Sequence, residues 1–133
     1  MYIADGKTNG PAFSWPDGKR IAVIVTFDYD AEFLRISRAK SKGTSIGFTD
    51  FSRGQYGPHE GLARCLDMLD TMNIKSTFFV PGAVIETYRD TVEEIHRRGH
   101  ELACHGYRHE SDPELSWIDL KDTAAFEYIF GPP

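Results

Sequence analysis

Three short apolar runs, separated by segments that read as helices, constrain the fold of this 133-residue chain more than any other feature. The runs cover residues 21–27, 76–80 and 100–104, and the first is β-branched and almost wholly apolar. Such a run is typical of a strand that is covered on both faces. Because parallel strands need a crossover connection, helices between successive strands predict an α/β fold with a parallel sheet.

The segments between the runs differ in how clearly they predict helices. Residues 58–72 place five residues on one helical stripe, Leu62, Cys65, Leu66, Leu69 and Met72. Asn73 is a plausible C-cap for that helix. A second helix is predicted over about 88–98, with Gly99 as its stop. Residues 31–57 contain four glycines and no sustained period, so we predict a long loop with room for a short helix.

Composition sets broad limits on the class of protein. The length favours one domain, and the contents of apolar and charged residues are ordinary for a soluble globular protein. The net charge of −5 argues against general nucleic-acid binding. No apolar stretch approaches the roughly 20 residues of a membrane span, and residues 1–15 lack a secretory signal pattern. We therefore expect a cytoplasmic protein that binds neither nucleic acid nor membrane, with Cys65 and Cys104 as buried free thiols.

Candidate metal ligands stand at the ends of the first and third predicted strands. Asp28 and Asp30 end the first run, and His105 and His109 follow the third. Because the carboxyl ends of parallel strands meet at one edge of a sheet, these side chains are expected to converge. A carboxylate and two imidazoles supply three ligands for a divalent ion and leave positions for water and substrate. The pattern therefore predicts a metal hydrolase site.

The two carboxylates can have different roles at such a site. Asp28 and Asp30 would share one face of a regular strand, so one could bind the metal while the other accepts a proton from water. His105 and His109 could converge on one ion if their turn is helical. Alternation along the strand directs Cys104 to the opposite side, away from the metal.

Other polar residues have simpler interpretations. Three histidines are expected to be structural residues on helix or loop surfaces, namely His59, His96 and His100. A basic cluster is expected to be a solvated loop, with attraction of an anionic substrate as the alternative; it comprises Arg35, Arg38, Lys40 and Lys42. Arg53 lies in the predicted long loop, where it could line a cleft.

Four segments resemble the polysaccharide deacetylase family, the NodB homology or carbohydrate esterase 4 group. Thr26-Phe-Asp-Tyr-Asp30 resembles its first motif, and His105-Gly-Tyr-Arg-His109 resembles its second, usually His-Ser/Thr-x-x-His. Residues 75–82 and 98–105 resemble its connecting segments, so the likeness covers about 15–112. Asp-x-Asp in the first motif and Gly106 in the second are similar to the branch with peptidoglycan deacetylases that lack signal peptides. That branch also includes allantoinase-like and cyclic-imide-hydrolase-like members.

The resemblance implies a fold, a reaction and a set of roles. The fold would be a distorted (β/α) barrel, of which this chain carries the parallel-sheet N-terminal part. Asp28 resembles the catalytic base, and the metal ligands would be Asp30, His105 and His109, with zinc as the expected divalent ion. The implied reaction is hydrolysis of an amide, typically an N-acetyl group on an amino sugar of a polysaccharide or peptidoglycan. Hydrolysis of a small cyclic amide, as by an allantoinase or a cyclic-imide hydrolase, is the alternative.

The later motifs of the family do not occur after residue 112. Missing are an Arg-Pro segment, an acidic-and-Trp segment and a final Leu-x-x-His that supplies a general acid. We therefore expect one truncated domain, with an arm at 1–20, the motifs within 21–112 and one more helix around 117–128. Open sheet edges and uncovered apolar surface predict a homo-oligomer. The missing acid keeps a third interpretation open, an inactive metal-binding or assembly fragment.

Overall fold

The computed structural model describes residues 15–109. A short 3-10 helix at Pro16–Gly18 comes first. Three strands follow along the chain: β1 Thr26–Asp28, β2 Thr77–Val80 and β3 Glu101–Cys104. Five α-helices accompany them: α1 Phe33–Ser41, α2 Phe48–Tyr56, α3 Leu62–Met72, α4 Gly82–Thr87 and α5 Arg89–Arg97. A π-helical turn at Gly57–Gly61 joins α2 to α3.

The strands form one parallel sheet in the order β1-β2-β3, which confirms the predicted α/β class. In the register of this sheet, Asp28 lies beside Phe79, and Phe79 lies beside Ala103. All three strands therefore end near the same edge, as crossover connections require. Asp30 and His105 follow β1 and β3 at that edge.

The core lies between the sheet and α3, α4 and α5. Its fully buried side chains include Leu66, Leu69, Phe78, Val84, Val92 and Ile95. The predicted stripe of α3 is confirmed at Leu62, Leu66 and Leu69, whereas Met72 is 59% exposed because it lies in the last turn. Asn73 adopts the left-handed conformation of a C-cap, with φ of 52°.

The prediction of a long loop at 31–57 is wrong, since α1 and α2 occupy most of this segment. The glycines that suggested a loop have another role, which Gly54 illustrates. A Cβ atom at Gly54 would lie 2.4 Å from the Cα atom of Glu32, so this glycine lets α2 approach the chain directly before α1. Glycine therefore occurs at position 54 because two backbone segments pack closely there, and not because the chain turns.

The first strand is shorter than predicted. Only Thr26–Asp28 joins the sheet, and the preceding apolar residues are exposed: Ile21 by 75%, Val23 by 81% and Ile24 by 80%. Within residues 15–109, β1 pairs on one side only, and the first backbone bond to β2 runs from the Thr77 amide to the Val25 carbonyl. Residues 21–24 thus extend beyond the start of β2, and no segment of residues 15–109 packs over the exposed side chains of Ile21, Val23 and Ile24.

Three smaller predictions also need correction. The sequence predicts only that Pro81 and Gly82 end the second strand, whereas they open the short helix α4, which six residues were too few to reveal by periodicity. Cys104 is an exposed free thiol at the end of β3, and Cys65 is only partly buried. His100 is buried, 3% exposed, because it precedes β3 and packs against the ring of Phe78.

Two expectations lie outside the described residues, the helix around 117–128 and most of the arm at 1–20. Across residues 15–109, no helix combines the length and the apolar character that a membrane crossing requires.

Candidate metal centre

Asp30, His105 and His109 meet at the carboxyl edge of the sheet. One ligand atom from each lies within 4.8 Å of the other two. The Nε2 atom of His105 is 3.4 Å from Oδ1 of Asp30, and Nε2 of His109 is 3.7 Å from Oδ2. Oδ1 of Asp30 and Nε2 of His105 are buried without a hydrogen-bond partner among residues 15–109. Because buried polar atoms are rarely left unpaired, this donor set fits a bound cation.

The two imidazoles converge through a tight turn, so their convergence does not depend on a helical turn. Their ring centroids are 4.6 Å apart, and the rings are perpendicular. Gly106 has φ of 70° and His109 has φ of 57°, so the chain enters the left-handed region at both positions. Glycine adopts this conformation without steric cost, which accounts for Gly106 directly after His105.

Two helices hold the 105–109 turn in place. The first free amides of α4 donate to it, from Gly82 to the Gly106 carbonyl at 3.0 Å and from Ala83 to the Tyr107 carbonyl at 2.8 Å. From α1, the Ser37 hydroxyl donates to the carbonyl of His109 at 2.8 Å. These bonds satisfy backbone groups of the turn and position the imidazoles through the main chain.

A buried polar contact anchors the chain on the other side of Asp30. The Glu32 carboxylate is buried and accepts hydrogen bonds from the Tyr88 hydroxyl at 3.0 Å and 2.9 Å. Ala31, which lies between Asp30 and Glu32 in the chain, has φ of 49°. The Asp30 carbonyl accepts a hydrogen bond from the Phe33 amide at 3.0 Å. Neither Glu32 nor Tyr88 was predicted from the sequence. The only signal was Glu32 itself, a carboxylate two residues after the candidate ligand Asp30.

The electrostatics of Asp30 are unfavourable for an isolated carboxylate. Burial raises the pKa of Asp30, and the nearby carboxylate of Asp28 raises it further. The imidazoles of His109 and His105 lower this pKa, as does the charge of Arg38, but they do not offset the effect of burial. A bound cation would supply the positive charge that the desolvated carboxylate lacks.

Asp28 lies beside the three-residue cluster and not within it. Its side chain is exposed, and its strand neighbour is Phe79, whose ring centroid is 6.3 Å from that of His105. Because paired residues on adjacent strands point to the same face, Asp28 occupies the face that carries His105. Asp28 therefore takes no part in the contacts among Asp30, His105 and His109, and its side chain is accessible to solvent.

The structure places the remaining polar candidates elsewhere. Buried His100 accepts the Ser76 amide through Nδ1 at 3.3 Å. His59, His96 and Cys104 are not part of the cluster. Arg53 is on α2, 69% exposed and 3.9 Å from Asp50, and the basic cluster with Arg38 belongs to α1 and its C-terminal end.

The fold and the site together define an α/β protein with a candidate metal centre at the carboxyl edge of a parallel sheet. The model of the polysaccharide deacetylase family matches residues 38–124, and the chain belongs to this family. The family is hydrolytic and acts on carbon–nitrogen bonds. The matched range contains His105 and His109 and begins after Asp28 and Asp30.

Two curated relatives are peptidoglycan deacetylases or resemble them. The chain is 37% identical over 93 residues to the peptidoglycan deacetylase of Helicobacter pylori, which covers 70% of this chain and 31% of that protein. It is 31% identical over 99 residues to a peptidoglycan deacetylase-like protein of Gibberella zeae, which covers 73% of this chain and 29% of that one. The chain thus spans less than one third of the length of these relatives.

Two solved structures share the fold. A Mycobacterium smegmatis protein assigned as a polysaccharide deacetylase superposes with a TM-score of 0.77 at 36% identity, over 94% of this chain and 45% of that chain. Puue allantoinase superposes with a TM-score of 0.77 at 20% identity, over 93% of this chain and 48% of that chain, which is evidence for the fold alone. The expected partial barrel of the NodB type is confirmed by these likenesses.

Proposed function

We propose that this chain carries the metal-binding part of a zinc-dependent amide hydrolase that removes N-acetyl groups from amino sugars in a polysaccharide or peptidoglycan. Membership of the polysaccharide deacetylase family and the names of both curated relatives support this substrate class. The observation that carries the proposal is the cluster of Asp30, His105 and His109, with two buried ligand atoms that lack partners among residues 15–109.

The proposed roles follow from position and exposure. Asp30, His105 and His109 would hold a divalent ion, which lowers the pKa of water and polarises an acyl carbonyl group when bound. Asp28, exposed on the same face, would accept the proton from the attacking water. The Ser37 and α4 contacts would keep the imidazoles in place during turnover.

Zinc binding by the purified full chain tests the ligand set. Isothermal titration calorimetry with a competing chelator should give one zinc per chain at the site. Asp30→Ala and His105→Ala should abolish tight binding, because each removes one of three ligands. His96→Ala removes an exposed imidazole of α5 and serves as the matched control. Unchanged zinc stoichiometry in the Asp30 and His105 variants would overturn the assignment.

Asp28→Asn separates metal binding from chemistry. This variant keeps the shape of the side chain and should bind zinc as the wild type does, whereas acetate release from N-acetylglucosamine oligomers should fall by about a hundredfold or more. If the wild type releases no acetate but opens the ring of small cyclic amides, the alternative hydrolase activity is correct. If it binds zinc and acts on neither substrate, the chain is an inactive metal-binding or assembly fragment.

The assembly state and the cellular location stay predictions. The exposed side chains of Ile21, Val23 and Ile24 support the proposed homo-oligomer, since together they form apolar surface at the start of β1. Light scattering that gives a stable monomer at micromolar concentration would contradict it. The cytoplasmic location would be tested by fractionating cells that express the protein.

A further inference from the structure

A basic cleft is formed by α1, by the segment that joins α1 to α2 and by the first turn of α2. Its volume is about 240 Å³, and three cationic residues, Arg35, Arg38 and Lys42, line it together with residues 44–47. Asp50 is the one carboxylate among the lining residues. The cleft therefore collects three cationic side chains on a chain whose net charge is −5.

The acidic group of the cleft does not neutralise all of its cations. Asp50 is 3.4 Å from Arg35 and 3.9 Å from Arg53, so two guanidinium groups already compete for it. Arg38 and Lys42 form no ion pair with any carboxylate of residues 15–109 within 4 Å. A concave site with unpaired cations attracts anions, and guanidinium and ammonium groups bind carboxylates well.

Helix α1 connects this cleft to the candidate metal centre. Ser37 contacts the carbonyl of His109, and Arg38 is the next residue along the helix. One substrate molecule could therefore occupy both places, with an acyl group at the metal centre and a second group in the cleft.

We propose that this cleft binds the carboxylate of an N-acylated substrate, with Arg38 and Lys42 as the charged contacts. The inference rests on the proposed function for the acyl group, and it adds that the enzyme prefers an acidic substrate to a neutral one. Arg38 would supply a forked donor for the carboxylate, and Lys42 would supply a point charge. Neither side chain takes part in the proposed chemistry.

Binding of two monosaccharides to the full chain, in the absence of metal, tests the proposal without relying on turnover. N-acetylmuramic acid carries a carboxylate, and N-acetylglucosamine lacks it. In titrations followed by amide chemical shifts, N-acetylmuramic acid should bind more tightly and shift the amides of residues 38–50. Arg38→Gln should weaken its binding by roughly three- to tenfold and leave N-acetylglucosamine unaffected.

Lys40→Gln is the matched control, because Lys40 is exposed on α1, has the same charge and does not line the cleft. It should change neither titration. Equal affinity for the two sugars, or equal losses in the Arg38 and Lys40 variants, would overturn the proposal. So would saturation of the cleft by inorganic phosphate without competition from N-acetylmuramic acid. Selective binding without acetate release would count against the proposed hydrolase and would leave the carboxylate site supported.

Discussion

The Ser37 hydroxyl on α1 donates a hydrogen bond to the main-chain carbonyl of His109, 72 residues away, at 2.8 Å. This contact holds the end of the 105–109 turn, where His109 has a left-handed backbone with φ of 57°. A main-chain anchor of this kind acts on the candidate ligand without touching the metal. It therefore resembles the outer contacts that orient ligands in metal sites.

Ser37→Ala should weaken zinc binding by about tenfold, because the turn loses the bond that orients His109. Calorimetry with a competing chelator measures the change. Ser41→Ala is the control, since the Ser41 hydroxyl donates to the carbonyl of Arg38 on the exposed part of the same helix. Equal zinc affinity in the two variants would show that the anchor has no role in metal binding.

Gly82→Ala should disturb the metal centre from the opposite side. A Cβ atom at Gly82 would lie 2.7 Å from Cδ2 of Tyr107, so the ring of Tyr107, a residue of the 105–109 turn, must move to admit a methyl group. We expect zinc affinity to fall by at least tenfold, with a loss of stability of about 1–3 kcal/mol. Gly47→Ala is the control for a glycine-to-alanine substitution that causes no clash, because nothing lies within 4 Å of a Cβ atom there. A Gly82 variant with wild-type zinc affinity would contradict this packing argument.

Tyr88→Phe should destabilise the protein by about 1–3 kcal/mol, as it removes the donor from the buried Glu32 carboxylate. Urea denaturation of the metal-free chain measures the free energy of unfolding. Tyr107→Phe removes a hydroxyl that donates to exposed Glu86, and it should cost less than about 0.5 kcal/mol. The prediction fails if both variants lose the same stability.

His100 predicts a pH dependence of stability. Burial lowers its pKa, and the charges of Lys75 and Arg98 lower it further, while Asp70 raises it. As the pH falls below about 6.5, His100 therefore becomes protonated in the unfolded chain at a higher pH than in the folded chain. The contribution of His100 to the free energy of unfolding is full above that pH and declines below it.

His100→Asn can keep an acceptor for the Ser76 amide and cannot titrate, so its stability should fall less between pH 7.5 and 5.5 than that of the wild type. Urea denaturation at both pH values, without metal, measures the difference. His96→Asn removes an exposed histidine and should retain the full wild-type decline. The same pH dependence in His100→Asn and the wild type would contradict the assignment.

The reliable predictions came from local patterns. The stripe of Leu62, Leu66 and Leu69 marked α3, and Asn73 marked its end, because a helical period and a left-handed cap are readable along the chain. The sequence allowed one short helix within residues 31–57 and predicted none directly after Pro81, so the positions of α1, α2 and α4 were not predicted. Gly54 suggested a loop and Gly82 the end of a strand, yet another part of the chain packs closely against both glycines.

The sequence by itself determined the α/β class and the chemistry of the candidate ligands, since apolar runs and residue types are properties of short segments. The tertiary structure decided how the ligands meet. His105 and His109 converge through left-handed backbone at Gly106 and His109, with support from Ser37. It also decided that the Asp30 side chain is largely shielded from solvent, with 11% of it exposed, while Asp28 stays exposed beside it. These outcomes depend on contacts between residues far apart in the chain, which no local pattern encodes.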